Sequence, residues 1–363
     1  MNKNIIPIVI PSYEPDERLI TLLNELVEKN IGPIIVVNDG SGEIYAPYFK
    51  KAEEIIGRIG GEVLTHSQNM GKGRALKTAF SFIINKYDAL GCVTADSDGQ
   101  HTPICISKIK KCLIENPNNL ILGVRDFDAP GVPIKSKHGN KITVKALKFF
   151  TGISVSDTQT GLRGIPIEFM KKLLNVRGER FEFETEMLIY SKDSFPIKEV
   201  PIETVYDSKE NHTTHFNPIK DSIKIYKIFG RIFSKFLISS LSSSIIDILL
   251  FALFCRIYKS HFKMSEYIFI STISARVISA IYNFIINYIF VFKSKESKAM
   301  AFIKYTILAI IQMLLSATLV TLICYLVGDT YKVLIKIIVD IILFCISYYI
   351  QQMIVYRGRN KKR

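Results

Sequence analysis

The 363-residue sequence contains no tryptophan and only six cysteines, and its acidic side chains are outnumbered, 33 Asp and Glu against 47 Lys and Arg. Any motif that needs an indole is therefore excluded. The cysteines (Cys92, Cys105, Cys112, Cys255, Cys324 and Cys345) show no paired metal-ligand spacing. That excludes a zinc site built from them and points to free thiols in a reducing compartment. No Gly-x-x-x-x-Gly-Lys-Ser/Thr run occurs, so there is no P-loop. No cleavable signal peptide is visible: Met1 to Lys3 is short, and Ile5 to Ile10 is a strand-length run broken by Pro7.

Long apolar runs are plentiful, and they divide the chain. Up to about Ser222 it reads as a soluble α/β protein, with strands, helices and punctuating Gly and Pro. Beyond that lie four apolar blocks, Phe236 to Ile257, Tyr267 to Val291, Phe302 to Val327 and Val333 to Tyr356. Runs near twenty residues cross a bilayer core of about 30 Å. The net charge of +14 gathers around these blocks. Lys220, Lys224, Lys227, Arg231 and Lys235 precede the first; Lys293, Lys295, Lys298 and Lys304 fill the loop between the second and third; Arg357, Arg359, Lys361, Lys362 and Arg363 close the chain. Excess positive charge marks cytoplasmic loops, so the soluble part, the middle loop and the C-terminus are expected inside. Charges that track membrane ends argue against a nucleic-acid partner.

In the soluble half, Ile5 to Ile10 reads as a buried strand and Arg18 to Asn30 as a helix with apolar residues at helical spacing. Ile34 to Val37, Glu62 to Thr65, Leu120 to Val124 and Ile197 to Ile202 read as further strands, and Tyr48 to Ile59 and Arg74 to Asn85 as helices. Strand, turn and helix repeated in this way make a mostly parallel sheet covered on both faces. Ligands of such sheets bind at the carboxyl ends of strands, where Ser12 to Asp16, Asn38 to Ser41 and Asp96 to His101 fall.

The last of these, Asp96-Ser97-Asp98-Gly99-Gln100-His101, carries the chemistry. Side chains two apart on an extended segment point the same way, so Asp96 and Asp98 can grip one hard cation and leave sites free for a diphosphate. Taken alone, Asp-x-Asp is more often turn chemistry. Asn69-Met70-Gly71-Lys72-Gly73 opens a helix with glycines and a positive charge, which suits an anion or an ordinary turn equally.

The ordered set Pro11-Ser12-Tyr13, Val36-Val37-Asn38-Asp39-Gly40-Ser41, Asn69-x-Gly71-Lys72-Gly73-x-Ala75 and Asp96 to His101 resembles a family 2 glycosyltransferase. Within that family it is similar to the dolichol- and polyprenyl-phosphate sugar transferases, which have a Rossmann-like GT-A fold. The resemblance covers nearly all of the first 230 residues. It implies that Asp39 binds the nucleobase, with Pro11, Tyr13 and Glu14 lining the nucleoside pocket and Lys72, Asp96 and Ser97 on the donor. It implies a metal, Mg²⁺ or Mn²⁺, held by Asp96, Asp98 and Gln100. The family usually has Asn-Glu after the Tyr; here Glu14-Pro15 stands there. Asp157 to Arg163 resembles the family's acceptor-side element, in which Asp157 acts as a base or, our preferred reading, orients the acceptor. A phosphate acceptor is largely ionised near neutral pH and needs no strong base. Arg125, Lys135, Lys137 and Arg163 are candidates to hold phosphate, with Arg125, Asp98 and Asp157 as the catalytic set.

Asn140 to Thr151 and Ile223 to Ser234 mix apolar residues with lysines, as helices lying in a membrane interface do, although a core-facing helix with a solvated basic side fits the first equally. Phe181 to Glu186 opens a further helix, its carboxylates explained by the helix dipole. Residues 203–222 resemble the element that closes over this family's site; Asn211, His212 and His215 lack credible metal spacing. In the membrane half, Ala280-x-x-Asn283-Phe284-x-x-Asn287 resembles the GtrA-like four-span proteins, with serines between Ser239 and Ser244 where glycines are usual. Asp247, Arg276, Asn283, Asn287, Gln312 and Asp340 lie within spans, where polar groups are functional by default or form a structural clamp. Arg276 is expected to pair with Asp247 or Asp340 inside the bundle.

These readings combine into domains at 1–222 (GT-A), 223–235 (juxtamembrane helix), 236–356 (four-span, all-α) and 357–363 (basic tail). The expected activity is transfer of a sugar, with inversion implied by the resemblance, from a nucleotide donor (UDP favoured) to undecaprenyl phosphate or a similar polyprenyl phosphate. The site would face the cytoplasm of a bacterial membrane, and a homo-oligomer is left open. A processive polysaccharide synthase would carry Gln-x-x-Arg-Trp, which a chain without tryptophan cannot. A lipid-sugar translocase or scaffold with an inactive soluble domain is the other class, and Asp39, Asp96 and Asp98 argue against it.

Overall fold

The computed structural model describes residues 5–129, 132, 134–192, 194–203, 220–328 and 330–358, and all but the side chains of Ile134 and Lys135 within them. Lys135 as a phosphate ligand, the 204–219 stretch with Asn211, His212 and His215, and the tail beyond Gly358 therefore lie outside the described side chains.

The first part alternates strand and helix: β1 (Ile8–Ser12), α1 (Glu17–Glu28), β2 (Ile34–Asn38), α2 (Ala46–Ile56), β3 (Glu62–Thr65), α3 (Lys72–Lys86), β4 (Gly91–Thr94) and α4 (Pro103–Glu115). It continues with β5 (Leu120–Arg125), α5 (Ile134–Thr151), β6 (Arg163–Pro166), α6 (Ile167–Leu173), α7 (Glu182–Ser191) and β7 (Ile197–Ile202). One seven-stranded sheet has the order β3-β2-β1-β4-β6-β5-β7. Strands β1 to β4 pair in parallel, as do β5 and β7, because a helix separates each pair in the chain. Strand β6 runs antiparallel between β4 and β5. The expectation of a mostly parallel sheet is met, with this one antiparallel strand inserted.

Strands β1 and β2 are buried at every residue, which explains why their sequences are continuous apolar runs with no alternation. Helix α1 turns Leu19, Leu22, Leu23 and Leu26 inward, and Asp16 caps it by accepting the Arg18 N–H. Thr102 caps α4 through the Cys105 N–H, with Pro103 as its first residue. Pro201 sits in the edge strand β7, where its missing N–H is tolerated.

A second compact unit comprises residues 149–152 and 229–363; the first holds 1–148 and 153–228. The expected separate helix at 223–235 is not separate. Helix α8 (Lys220–Tyr258) runs unbroken through it into the first apolar block, since nothing between Ile223 and Phe236 breaks a helix. The remaining helices are α9 (Met264–Ile286, continued to Val291), α10 (Lys298–Val327) and α11 (Lys332–Ile350, continued to Val355). These four are long and apolar enough to cross a membrane. In this unit the Tyr348 hydroxyl and Gln352 Nε2 donate to the Phe150 carbonyl at 2.7 and 3.1 Å.

The in-span polar residues divide into three sets. Asn287 donates to Asn283 Oδ1 at 2.9 Å and Gln351 Oε1 at 3.3 Å, and the Tyr305 hydroxyl joins Asn283 at 3.1 Å. Asn283, Gln312 and Gln351 line a cavity of about 150 Å³. Arg276 pairs with Asp247 at 3.2 Å, not with Asp340, which takes Lys336 at 2.7 Å and the Ser316 hydroxyl at 2.7 Å. In contrast to expectation, Arg276 is not in the bundle interior: its side chain is 73 % exposed while Asp247 is 18 % exposed.

Candidate active site

The site is built at the carboxyl ends of β1, β2 and β4, where parallel strands leave loops free to carry function. After β2, Asp39 turns inward and is almost wholly buried. Its carboxylate accepts the backbone N–H groups of Met70 at 2.9 Å and Gly71 at 2.8 Å and meets His66 Nδ1 at 2.8 Å. His66 reaches Thr78 through its other nitrogen at 2.9 Å. Gly71 has φ +102°, and a Cβ there would overlap the Glu179 carbonyl, so only glycine fits. Together these contacts fix the 69–71 turn and with it the start of α3.

Around β1, Pro11 is buried, and Tyr13 and Glu14 are half-buried. Glu14 has φ 51° and donates its N–H to the Ser41 hydroxyl at 2.9 Å, which ties the first loop to the second. A side-chain hydrogen bond with Glu14, and then burial, pushes the Tyr13 hydroxyl above its ordinary range.

Lys72, the first residue of α3, carries its ammonium between two carboxylates, 2.7 Å from Asp96 Oδ1 and 2.9 Å from Glu184 Oε1 on α7. His101 Nε2 lies 3.5 Å from the other Asp96 oxygen. Burial alone drives the Asp96 carboxyl up, but the Lys72 charge and the His101 bond outweigh it and hold Asp96 below the usual carboxylate range. Burial likewise depresses Lys72, and its two carboxylates more than restore it. Asp98 is pushed up by burial and by the nearby Asp96 charge, while its Oδ1 accepts the Gln100 N–H at 3.1 Å in a local turn. Ser97 and Gln100 are half-buried beside them.

Two repelling carboxylates and one amide oxygen are hard oxygen donors, the set that suits Mg²⁺ or Mn²⁺, and a cation between them would relieve the repulsion that raises Asp98. The residues fit a metal on that chemistry. Among the described residues no group of three or more His, Cys, Asp or Glu gathers at metal-binding geometry.

The 157–163 loop packs against Asp96: a Cβ on Gly161 would overlap the Asp96 carboxylate, and the Thr94 hydroxyl donates to the Gly161 carbonyl at 2.7 Å. Asp157, fully buried, receives the Arg125 fork, and Arg125 also lies 4.9 Å from the centre of the Phe127 ring. Lys137 is paired with Asp128 at 2.8 Å. Arg163 does not stand at a phosphate site, in contrast to expectation. It is 1 % exposed on β6, and it donates to the backbone carbonyls of Thr160 at 2.9 Å, Glu184 at 2.7 Å and Thr158 at 3.4 Å, a structural clamp. Residues missed in the sequence are His66, buried Lys77, which holds the Val176 and Gly178 carbonyls and Glu179, and Glu184. Of the acids that open α7, Glu184 serves Lys72 as an ion-pair partner, a role beyond favouring the helix dipole.

Comparison with known proteins gives two family matches. Residues 8–174 match the Glycosyl transferase family 2 model and residues 235–356 the GtrA/DPMS transmembrane domain model. A Methanococcus voltae UDP-N-acetylglucosamine--dolichyl-phosphate N-acetylglucosaminyltransferase is 31 % identical over 228 residues, covering 57 % of this chain and 88 % of that protein. An uncharacterized Methanocaldococcus jannaschii protein is 31 % identical over 215 residues, 57 % of this chain and 84 % of its own. Among solved structures, a Pyrobaculum calidifontis mannosyltransferase in complex with GDP-Man and Mn²⁺ has 12 % identity and a TM-score of 0.41, covering 96 % of this chain and 87 % of that one.

Proposed function

We propose that this chain, which belongs to glycosyl transferase family 2 and carries a GtrA/DPMS transmembrane domain, transfers one sugar from a UDP-sugar to a polyprenyl phosphate. The observation that carries the reading is the packing of Gly161 on the Asp96 carboxylate. It brings the 157–163 loop, with the Asp157–Arg125 pair, against the residues that would hold the donor.

On this reading Pro11, Tyr13 and Glu14 line the nucleoside pocket, and Asp39 acts beside it by fixing the turn before Lys72. Asp96, Asp98 and Gln100 would hold a divalent cation, which when bound neutralises charge on the leaving diphosphate. Lys72 and the N-terminus of α3 add positive charge on the same side. Arg125 and Lys137 of α5 attract the acceptor phosphate. Asp157 orients Arg125 rather than taking a proton, since its oxygens are already engaged by the Arg125 fork and the Gln159 N–H. The acceptor oxygen is anionic and attacks the anomeric carbon without a base, and catalysis is positioning and charge stabilisation.

The Lys and Arg excess at one end of the spans supports a membrane protein with its α/β domain, middle loop and C-terminus in the cytoplasm. The test is a panel of labelled UDP- and GDP-sugars offered to the full chain in detergent with undecaprenyl or dolichyl phosphate and Mg²⁺ or Mn²⁺. Lipid-extractable label with a UDP-sugar, lost in Asp98→Asn, is expected. No lipid-extractable label with any donor overturns the proposal.

A further inference from the structure

The Lys72 ammonium occupies one Asp96 oxygen at 2.7 Å, and a cation at Asp96 and Asp98 would approach the same carboxylate. Two positive centres on one acid oppose each other, and the opposition is strong where the groups are shielded from water: the Lys72 side chain is 17 % exposed and Asp96 27 %. Ordinarily a lysine in this place would hinder metal binding outright. Here a second carboxylate, Glu184, already touches the same ammonium at 2.9 Å and is 9 % exposed. The two acids come from different elements, the β4 end and the first turn of α7, and Lys72 bridges them.

The backbone at Lys72 cannot follow either partner. Gly71 donates its N–H to Asp39, and Gly73 packs so closely on Phe183 and Glu179 that no Cβ fits. Any adjustment is confined to the lysine side chain, and releasing Asp96 breaks only one of its two ion pairs. We infer that Lys72 is a built-in counter-ion of Asp96 that competes with the divalent cation for that carboxylate and retreats onto Glu184 when the cation binds.

This inference rests on the metal reading above. It makes two predictions of opposite sign about metal affinity, which a merely structural role for the triad would not produce. Lys72→Met removes the competitor, so Mn²⁺ binds more tightly. Glu184→Gln removes the retreat, so Lys72 stays on Asp96 and Mn²⁺ binds more weakly.

The experiment measures Mn²⁺ binding to the full chain in detergent by calorimetry and by the loss of the free-ion magnetic resonance signal, without nucleotide and then with UDP. Thermal melts confirm that each variant is folded, and Asp98→Asn supplies the zero. The expected result is affinity about tenfold tighter for Lys72→Met and several-fold weaker for Glu184→Gln, shifts of the size usual for coupled sites. Mn²⁺ binding by the unchanged protein that Lys72→Met leaves unchanged or weakens overturns the inference alone, as does a Glu184→Gln affinity equal to that of the unchanged protein. If Lys72→Met does not fold, the Glu184→Gln result decides. No Mn²⁺ binding by any folded variant, with or without UDP, overturns the inference together with the metal reading.

Discussion

Arg125 holds Asp157 in a two-point fork, Nε donating to Oδ2 at 2.7 Å and Nη2 to Oδ1 at 3.1 Å, with the Asp157 side chain fully buried. The pair joins β5 to the loop that packs on Asp96. Breaking one half of a buried, forked pair strands the other charge, at a cost of about 3–5 kcal/mol. Asp157→Ala is therefore expected to lower the melting temperature sharply and to abolish transfer. Arg125→Lys keeps the charge but not the fork and should restore little. The discriminating measurement is the pH–rate profile of Asp157→Asn. We expect a slower enzyme with the same acidic limb, because Asp157 orients; disappearance of that limb would assign it as the base.

Asp39 makes a second prediction. Two backbone N–H groups and His66 converge on its carboxylate, and hydrogen bonds to a charged acceptor are worth about 1.5–3 kcal/mol each. Asp39→Asn should loosen the 69–71 turn, lowering the melting temperature and weakening UDP binding together, as read by calorimetry. His66→Ala should do the same more mildly, by about 1 kcal/mol. A variant that loses UDP affinity with an unaltered melting temperature would place Asp39 on the nucleobase alone.

Much of this was legible in the sequence, and for physical reasons. Fully buried strands must be continuous apolar runs, so β2 and β5 fall where such runs lie, while β3 and β7, the partly buried edge strands, show only as short segments bounded by turns, and the polar turns after β1, β2 and β4 mark the site. Strand β6 was not legible. It has four residues, two of them Gly164 and Pro166, and its place between β4 and β5 is set by long-range pairing with Thr94 and Leu122. The start of β1 was placed too early because Ile5 to Pro7 is as apolar as the strand, yet only Ile5 bridges, to Ala89. Helix α5 begins at Ile134, six residues before the Asn140 at which the sequence reading opens it. Arg163, in a motif-like run, looked like a phosphate ligand, and only its burial among carbonyls shows otherwise. Contacts such as Lys72 with Glu184 join residues far apart in the chain, and no local pattern encodes them.

Gly161→Ala tests the closeness of the acceptor-side loop to the Asp96 carboxylate. The added methyl cannot be accommodated without moving Asp96 or the loop, which is anchored by the Thr94 hydroxyl. Transfer activity should fall by at least tenfold, with a melting temperature lowered by an overpacking cost of about 1–3 kcal/mol. Thr94→Val, which frees the loop to shift, should partly recover activity in the double variant; a further loss would show that the anchor rather than the clash controls the geometry.

Asp16 supplies the pH dependence. Its hydrogen bonds with Arg18 hold its carboxyl below the ordinary range, opposed by partial burial. A carboxylate with a depressed folded-state value adds stability above its unfolded value, near 4, and loses it as pH falls through the folded value. The side chain is 49 % exposed, so screening reduces the ion-pair share and the helix cap is the larger part. Asp16→Ala should cost about 1 kcal/mol at pH 7. The gap between variant and unchanged protein in urea unfolding should narrow steadily below pH 4; a constant gap down to pH 2.5 would remove the carboxylate charge from the account.

In the membrane unit, Asp247 is shielded by Ser279, whose hydroxyl donates to Oδ1 at 2.9 Å, and by Arg276, whose Nη2 lies 3.2 Å from Oδ2. An ionised carboxylate within a span is costly unless matched, while the guanidinium, 73 % exposed, has room to reach water or lipid phosphate by its own length. The two halves of the pair are therefore unequal. Arg276→Gln leaves the partly buried Asp247 carboxyl without its cation, so it should destabilise the detergent-solubilised protein more than Asp247→Asn, which leaves an exposed guanidinium. The double variant should recover most of the loss, with a coupling energy of about 0.5–3 kcal/mol in a double-mutant cycle. Equal single losses that simply add would show that the pair does not act as a unit, and Asp247 would then owe its place to Ser279 alone.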